Sequence, residues 1–182
     1  MYGIALSVTA CIRAGTRVDL AWMVGQAESE ASDPHQAMAI TPGGGRLGSL
    51  GSTALEGQLT ELAGLQTGGG RLLEAGVGSP NGEVNSDQPG AGAKCALVPG
   101  SAMPDNLWER LLDRDPVCLV SHLHGDTITE TKLYTASTVS ESEDHVHRLF
   151  DRQSSIARVV GDTLVTILWP RSNLVVVGEQ EA

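Results

Sequence analysis

The length, composition and charge of the chain exclude several classes of protein. Its 182 residues, of which 41% are hydrophobic, suffice for one domain with a sizeable core. A formal net charge of −10 opposes binding to nucleic acid or to an anionic membrane surface, and no apolar run approaches the ~20 residues that a membrane span needs. Three dispersed cysteines without a C-x-x-C pair, Cys11, Cys95 and Cys118, favour reduced thiols in a cytoplasmic protein.

Helical and strand patterns alternate along the first third of the chain. An apolar stretch that stops at Gly15, where a left-handed helix cap belongs, predicts the first helix. Leucines at three- and four-residue steps predict a second helix, capped by Ser52 or Thr53. Glu56, three residues after Thr53, would complete a capping box. The predicted elements are a helix over residues 3–14, strands over 18–24, 37–41 and 46–50, and a helix over 51–65.

The rest of the chain continues this alternation. One predicted helix has Asp105 as its candidate cap, and its spacing directs Trp108, Leu111 and Leu112 toward the core. Residues 76–93 are predicted to be a long irregular segment, either functional or mobile. Strands alternating with helices predict an α/β fold, a single domain with a mixed β-sheet flanked by helices. The predicted elements are strands over 71–75, 95–98, 116–121, 132–135, 158–160, 163–168 and 173–177, and helices over 103–113 and 141–153.

The stretch VCLVSHLHGDT, residues 117–127, holds a metal-like pattern. His122, His124 and Asp126 follow a buried strand at alternate positions, which directs their side chains the same way. The string resembles the His-x-His-x-Asp-His ligands of metallo-β-lactamase-like hydrolases, but Thr127 stands where the last histidine would be. A zinc site needs three or four converging ligands. The sequence therefore predicts a polar loop without a metal, and a metal-dependent hydrolase that uses these three residues stays an alternative.

A family resemblance is found in the stretch AMAITPGGGRLGSLGSTALEGQLTEL, residues 37–62. It resembles the XdhC/CoxI family, the accessory proteins of xanthine dehydrogenase and carbon monoxide dehydrogenase. The family motif, between a strand and a helix, is G-S-hydrophobic-S-G-G-C-hydrophobic-E-G. Residues 48–57, GSLGSTALEG, resemble this motif. Residues 169–178, WPRSNLVVVG, look like the linker into the family's Rossmann domain. Between these stretches, the strand over 95–99, the helix over 106–112 and the strand over 116–121 fall in the family's order.

The chain departs from the family pattern at both cysteine positions. Ala54 stands where the family's glycine-rich turn has a cysteine, and residues 90–93 stand where C-G-G is usual. A thiolate can coordinate or sulfurate a molybdenum cofactor, and a methyl group cannot. No dinucleotide-binding turn and helix follow the last predicted strand. The resemblance therefore implies the family's first domain over residues 1–169, with residues 170–182 as a C-terminal strand and tail, a remnant of the linker.

The glycine-rich turn before the helix over 51–65 is the candidate binding site. Its backbone N–H groups lie at a helix N-terminus, which favours an anion such as the phosphate of a pterin cofactor. The alternative is an ordinary capped turn whose hydroxyl groups serve only the helix. The predicted cofactor-binding residues are Gly48, Ser49, Gly51, Ser52 and Thr53.

The resemblance implies an accessory role rather than catalysis, and no nucleophile has a base at a recognisable spacing. The chain is expected to be a non-catalytic, maturation-type protein similar to molybdenum-hydroxylase chaperones, which bind a cofactor or a target enzyme. The implied cofactor is the molybdenum cofactor, and the missing cysteines argue against it. A degenerate family member that acts as an interaction module or as a subunit of a larger complex is the alternative. The expected assembly is a homodimer, or a complex with a molybdoenzyme or another protein.

Overall fold

Helices and strands alternate through the part of the chain that the computed structural model describes, residues 1–25, 32–65, 69–74 and 94–171. The predicted strand over 173–177 and the predicted irregular segment over 76–93 lie outside these ranges. The helices are α1 (Ala5–Arg13), α2 (Thr53–Leu65), α3 (Leu107–Leu112) and α4 (Asp144–Phe150). The strands are β1 (Asp19–Val24), β2 (Ala37–Ile40), β3 (Arg46–Gly48), β4 (Gly70–Glu74), β5 (Lys94–Pro99), β6 (Val117–His124), β7 (Thr127–Thr135), β8 (Ile156–Val160) and β9 (Thr163–Leu168).

These strands form one sheet in the order β3-β2-β1-β5-β4-β7-β6-β9-β8. The predicted α/β class is confirmed, but every ladder between the described strands is antiparallel rather than mixed. In the described ranges, the one parallel contact is an isolated bridge between Gly25 and Arg158. Short connections explain the difference, because sequence neighbours such as β6–β7 and β8–β9 pair as hairpins. Gly125 and Gly161, both at positive φ, lie in the tight turns of these two hairpins.

The sheet curls, so that β8, the strand at one edge, returns toward the end of β1. Besides the bridge between Gly25 and Arg158, Ser32 bridges to Ala157, which brings β8 beside the end of β1. The inward faces of the strands share one large core, to which α1 and α3 also contribute. Within it, the indole Nε1 of Trp22 donates a hydrogen bond to Thr166 Oγ1 at 3.1 Å. The main core therefore lies inside the curl of the sheet.

Two smaller cores lie on the outer face of the sheet. α2 packs on residues of β1, β2 and β5, and α4 packs on residues of β6 and β9. Because successive strand residues face opposite sides, a strand covered on both faces needs apolar residues throughout. β9 is buried along its whole length and is apolar except for Thr163 and Thr166, whose hydroxyl groups both make hydrogen bonds. The helices thus flank the sheet on both faces, as predicted.

α3 is shorter at its start than the predicted helix over 103–113. Met103 precedes Pro104 and is extended, with a ψ of 148°, because the proline ring clashes with a helical conformation of the residue before it. The helix begins at Leu107, after an N-cap at Asn106 that makes no side-chain cap bond. The prediction that Asp105 caps this helix is therefore wrong.

Other helix predictions also need adjustment. Leu112 was expected to face the core, but it is 41% exposed at the end of α3. The helix predicted over 141–153 is replaced at its start by a 3₁₀ turn over Val139–Glu141 and by the extended residue Ser142. α4 then begins at Asp144. None of the helices in the described part of the chain is long and apolar enough to cross a membrane.

Replacing Thr166 with valine is expected to lower the free energy of unfolding by about 1–3 kcal/mol. The buried indole N–H of Trp22 loses its acceptor, while the shape of the side chain at position 166 is kept. Urea unfolding followed by tryptophan fluorescence measures the change. The control is Thr127→Val at an exposed position of β7, which should stay within ~0.5 kcal/mol. Equal effects of the two substitutions would contradict the role given to this hydrogen bond.

Candidate functional site

The predicted binding residues lie together at the turn between β3 and α2. Gly48 and Gly51 have φ angles of 82° and 81°, a left-handed conformation that favours glycine. At Gly48, a Cβ atom would stand 2.3 Å from the carbonyl oxygen of Ala37 and 2.7 Å from Cγ2 of Ile4. The backbone therefore passes too close to its neighbours here for any side chain.

The carboxylate of Glu56 is held by this turn. The Ser49 hydroxyl donates a hydrogen bond to Glu56 Oε1 at 2.6 Å, and the Leu50 N–H donates to the same oxygen at 2.8 Å. The Gly51 N–H donates to Ser49 Oγ at 3.0 Å, and an Arg46 nitrogen lies 3.8 Å from Glu56 Oε2. Glu56 itself is only 8% exposed. The turn thus holds an anion, and that anion is a side chain of the same chain.

These contacts keep the buried carboxylate ionised. The hydrogen bond from the Ser49 hydroxyl, followed by that from the Leu50 N–H, lowers the pKa of Glu56 below its usual 4.5, although burial opposes the change. The Gly51 N–H and Arg46 act in the same direction as Ser49. Because the folded-state pKa is lowered, the stabilising contribution is complete above pH 4.5 and is lost as the pH falls through the lowered value.

Ser52 is the N-cap of α2, and it is one of the two caps, Ser52 or Thr53, that the sequence predicts. Its carbonyl oxygen accepts the Glu56 N–H at 2.9 Å, and its Oγ accepts the Leu55 N–H at 3.5 Å. Thr53 is the first helical residue, so the capping box predicted from Thr53 and Glu56 is wrong. The Glu56 side chain instead reaches back past the cap to the N–H of Leu50.

The five predicted binding residues are therefore adjacent, but three donors of their turn are engaged within the chain. Ser49 and Leu50 both donate to Glu56, and the Gly51 N–H donates to Ser49. An external phosphate at this turn would have to displace the carboxylate or lie beside it against a like charge. Cofactor binding by these residues stays a prediction.

Two of the three cysteines are buried thiols. Cys95 and Cys118 lie in the two outer cores, and burial raises the pKa of each to about 12. Both are therefore protonated at neutral pH and are poor ligands for a metal. Ala54, at the position of the family cysteine, is exposed near the start of α2. Cys11 is half-buried in α1.

The metal-like string lies at the tip of the β6–β7 hairpin. The strand extends farther than predicted, so His122 and His124 belong to the sheet, and His122 pairs with Glu130 of β7. A β-bulge interrupts the register directly after His122, and both His124 and Asp126 are exposed. The predicted polar loop is thus mostly strand. Within residues 1–25, 32–65, 69–74 and 94–171, no group of three or more His, Cys, Asp or Glu side chains is placed to hold a metal ion.

A second polar cluster, which no sequence pattern indicates, surrounds His35. Its Nε2 atom lies 2.8 Å from Ser155 Oγ and 3.0 Å from the carbonyl oxygen of Trp169. A cavity of about 480 Å³ opens beside these residues. His35 and Ser155 are 120 positions apart in a sequence that places both in polar connections, so no local signal links them.

Comparison with known proteins supports the fold. No protein-family profile matches the chain, and no curated protein matches its sequence. A crystal structure of a xanthine dehydrogenase from Bacillus halodurans matches with a TM-score of 0.56 and 18% sequence identity, over 94% of this chain and 54% of that one. The chain therefore shares the fold of about half of that protein.

Proposed function

We propose that this chain is a non-catalytic accessory domain of the molybdenum-hydroxylase maturation type, and that it acts by binding a protein partner. The fold likeness to a xanthine dehydrogenase structure and the resemblance of residues 48–57 to the XdhC/CoxI motif both support it. The observation that carries the proposal is the Glu56 carboxylate in the glycine-rich turn. It engages the Ser49 hydroxyl and the Leu50 N–H, two donors that a cofactor phosphate at this turn could use.

The available ligands also favour a protein partner over the molybdenum cofactor. Ala54 presents a methyl group where the related family has a cysteine, so a metal gains no sulfur ligand there. Cys95 and Cys118 are buried, and their pKa values of about 12 keep them protonated at neutral pH. The turn thus lacks a thiolate, and its Ser49 hydroxyl and Leu50 N–H already donate to Glu56.

Exposed leucines on α2 offer a surface for a partner. Leu62 and Leu65 are 43% and 77% exposed, and their three-residue spacing puts them on one side of the helix. Exposed apolar groups on a helix face gain free energy when another protein covers them. We expect this face of α2 to be part of the contact with the partner.

The test is to mix the purified chain with a purified molybdenum hydroxylase of the xanthine dehydrogenase type and to measure the complex by analytical ultracentrifugation. We expect a complex that Leu65→Glu weakens by about tenfold or more, because a charge is buried in the contact. Leu112→Glu, on the exposed end of α3, is the matched control and should leave affinity unchanged. No binding to either the cofactor-loaded or the cofactor-free enzyme would refute the proposal.

Cofactor delivery is the second candidate, and the exposed position of Ala54 beside the turn favours it. Ala54→Cys restores the family thiol near a helix N-terminus, where a thiolate is stabilised. After mixing with molybdenum cofactor and gel filtration, we expect this variant to retain molybdenum and Gln58→Cys, exposed farther along α2, to retain none. Molybdenum at about one atom per wild-type chain would support cofactor delivery instead. Stoichiometric zinc that His124→Ala removes would support the hydrolase alternative.

A further inference from the structure

His35 joins parts of the chain that are distant in sequence. Its Nε2 atom contacts Ser155 Oγ at 2.8 Å and the carbonyl oxygen of Trp169 at 3.0 Å, directly after β9. The Trp169 N–H donates to Ser155 Oγ at 2.8 Å, which closes a small network. The ring of Tyr2 stacks on the imidazole, with centroids 5.5 Å apart. These four residues, His35, Ser155, Trp169 and Tyr2, are here named the His35 clasp.

Charged groups of both signs face the imidazole. Asp33 accepts the backbone N–H of His35 at 3.0 Å, and its other carboxylate oxygen pairs with Arg171. The amino group of Met1 donates to the carbonyl oxygens of Pro34 and His35, each at 3.0 Å. One carboxylate, one guanidinium and one amino group therefore surround the ring.

Tyr2 brings two more charged residues to the edge of the clasp. The guanidinium of Arg114 lies over its ring, 5.9 Å from the centroid. The Tyr2 hydroxyl donates to the backbone carbonyl oxygens of Asp115, at 2.6 Å, and Leu168, at 3.0 Å. Tyr2 therefore ties the clasp to the end of β9 from a second direction.

The clasp favours a neutral imidazole. Burial, and after it the Met1 amino group and Arg171, lower the pKa of His35 below its usual 6.5, whereas Asp33 and the Trp169 carbonyl oppose this. Stability from this group is therefore complete above pH 6.5 and is lost as the pH falls through the lowered value. Burial also lowers the pKa of the Met1 amino group to about 5, so both groups act in the same direction.

The cavity of about 480 Å³ gives solvent a route to the ring. Its walls include His35, Ser155, Trp169 and Arg171. Protons can therefore reach the imidazole without unfolding of the sheet. An imidazolium gains hydration if its covering groups move apart, because a half-buried charge is poorly solvated. His35 and Ser155 border the cavity, and both are hydrogen-bonded to Trp169 at the end of β9.

We propose that the His35 clasp is a proton-operated latch on the end of β9. When the imidazole is neutral, the clasp holds residues 169–171 against the segment that precedes β2, at Asp33 and His35. With an imidazolium, repulsion from Arg171 and hydration through the cavity release these residues.

Hydrogen–deuterium exchange of the full chain tests the latch, with protection factors corrected for the intrinsic effect of pH. Between about pH 7.5 and about pH 5.5, we expect the protection of the Trp169 amide to fall by up to about tenfold, because pH 5.5 lies one unit below the usual histidine pKa of 6.5. His35→Gln should reduce this pH dependence and leave only the part that belongs to the Met1 amino group. His124→Gln, at the exposed end of β6, should leave it unchanged. The Met1 amino group is common to all three proteins, so its titration cancels in the comparison.

Two further measurements keep the latch testable if His35→Gln folds poorly. Ser155→Ala keeps the imidazole but removes the acceptor of the Trp169 N–H, so we expect low protection of that amide at both pH values. An NMR titration of the His35 ring should give a pKa below 6.5. A His35 pKa at or above that value, or unchanged pH dependence in a folded His35→Gln protein, would overturn the proposal.

Discussion

Replacing Gly48 with alanine is expected to lower the free energy of unfolding by roughly 3 kcal/mol or more. Two costs combine. The residue has a φ of 82°, which an L side chain rarely adopts, and its Cβ atom would stand 2.3 Å from the Ala37 carbonyl oxygen. The backbone of β2 or β3 must shift to relieve that clash, which disturbs the short ladder between them. Urea unfolding of both proteins measures the difference.

The matched control for this substitution is Gly51→Ala in the same turn. Gly51 has almost the same backbone angle, φ 81°, but no atom lies within 4 Å of its added Cβ. It therefore carries only the conformational cost of a left-handed residue, about 1 kcal/mol. If both substitutions cost the same, close packing at Gly48 is not what fixes the turn.

Replacing Glu56 with alanine is expected to cost about 3 kcal/mol, because the Ser49 hydroxyl and the buried Leu50 N–H both lose a charged acceptor. Glu61→Ala, at an exposed position of the same helix, is the control and should stay within ~0.5 kcal/mol. Chemical unfolding at neutral pH measures both values. Equal losses in the two variants would show that the carboxylate does not organise the turn.

The pH dependence of stability gives a second test of the Glu56 site. The wild-type protein should lose the Glu56 contribution as the pH falls below 4.5, the usual pKa from which this carboxyl is lowered. Glu56→Gln keeps one carbonyl acceptor but does not titrate, so its stability curve should be flatter over the same range. Parallel curves for the two proteins would mean that Glu56 is not strongly coupled to folding.

Local patterns predicted most helices and strands, and the misses have local causes too. The leucine spacing correctly located α2, and the glycine at position 15 correctly marked the end of α1, where φ is 71°. The start of α3 was missed because the pattern of apolar residues outweighed the effect of Pro104 on Met103. Met103 fits the apolar stripe of that predicted helix, but its backbone is extended.

The sheet pairings were harder to predict because they depend on contacts between distant residues. Periodicity shows which side of a strand is buried, but it does not show which strands become neighbours. β1 lies between β2 and β5, and β4 meets β7 only through a short ladder. The prediction of a mixed sheet came from the alternation of helices and strands, whereas hairpin connections produced antiparallel pairs.

The sequence located the glycine-rich turn but not the group that it holds. A capping box leads to the expectation that Glu56 bonds to the N-cap backbone, yet two left-handed glycines fold the turn back over the helix start. The Glu56 carboxylate therefore accepts the N–H of Leu50 rather than that of Thr53. Hydrogen bonds of this kind follow from the three-dimensional path of the loop, which residue spacing does not determine.

The curl of the sheet has a consequence for the rate of folding. Trp22 of β1 and Thr166 of β9 are 144 positions apart, yet they meet in the same core. Closing so long a loop costs chain entropy before any contact repays it, so chains with many such pairs fold in milliseconds to seconds rather than in microseconds. During synthesis, the indole N–H of Trp22 in β1 therefore has no acceptor from β9 until β9 has left the ribosome.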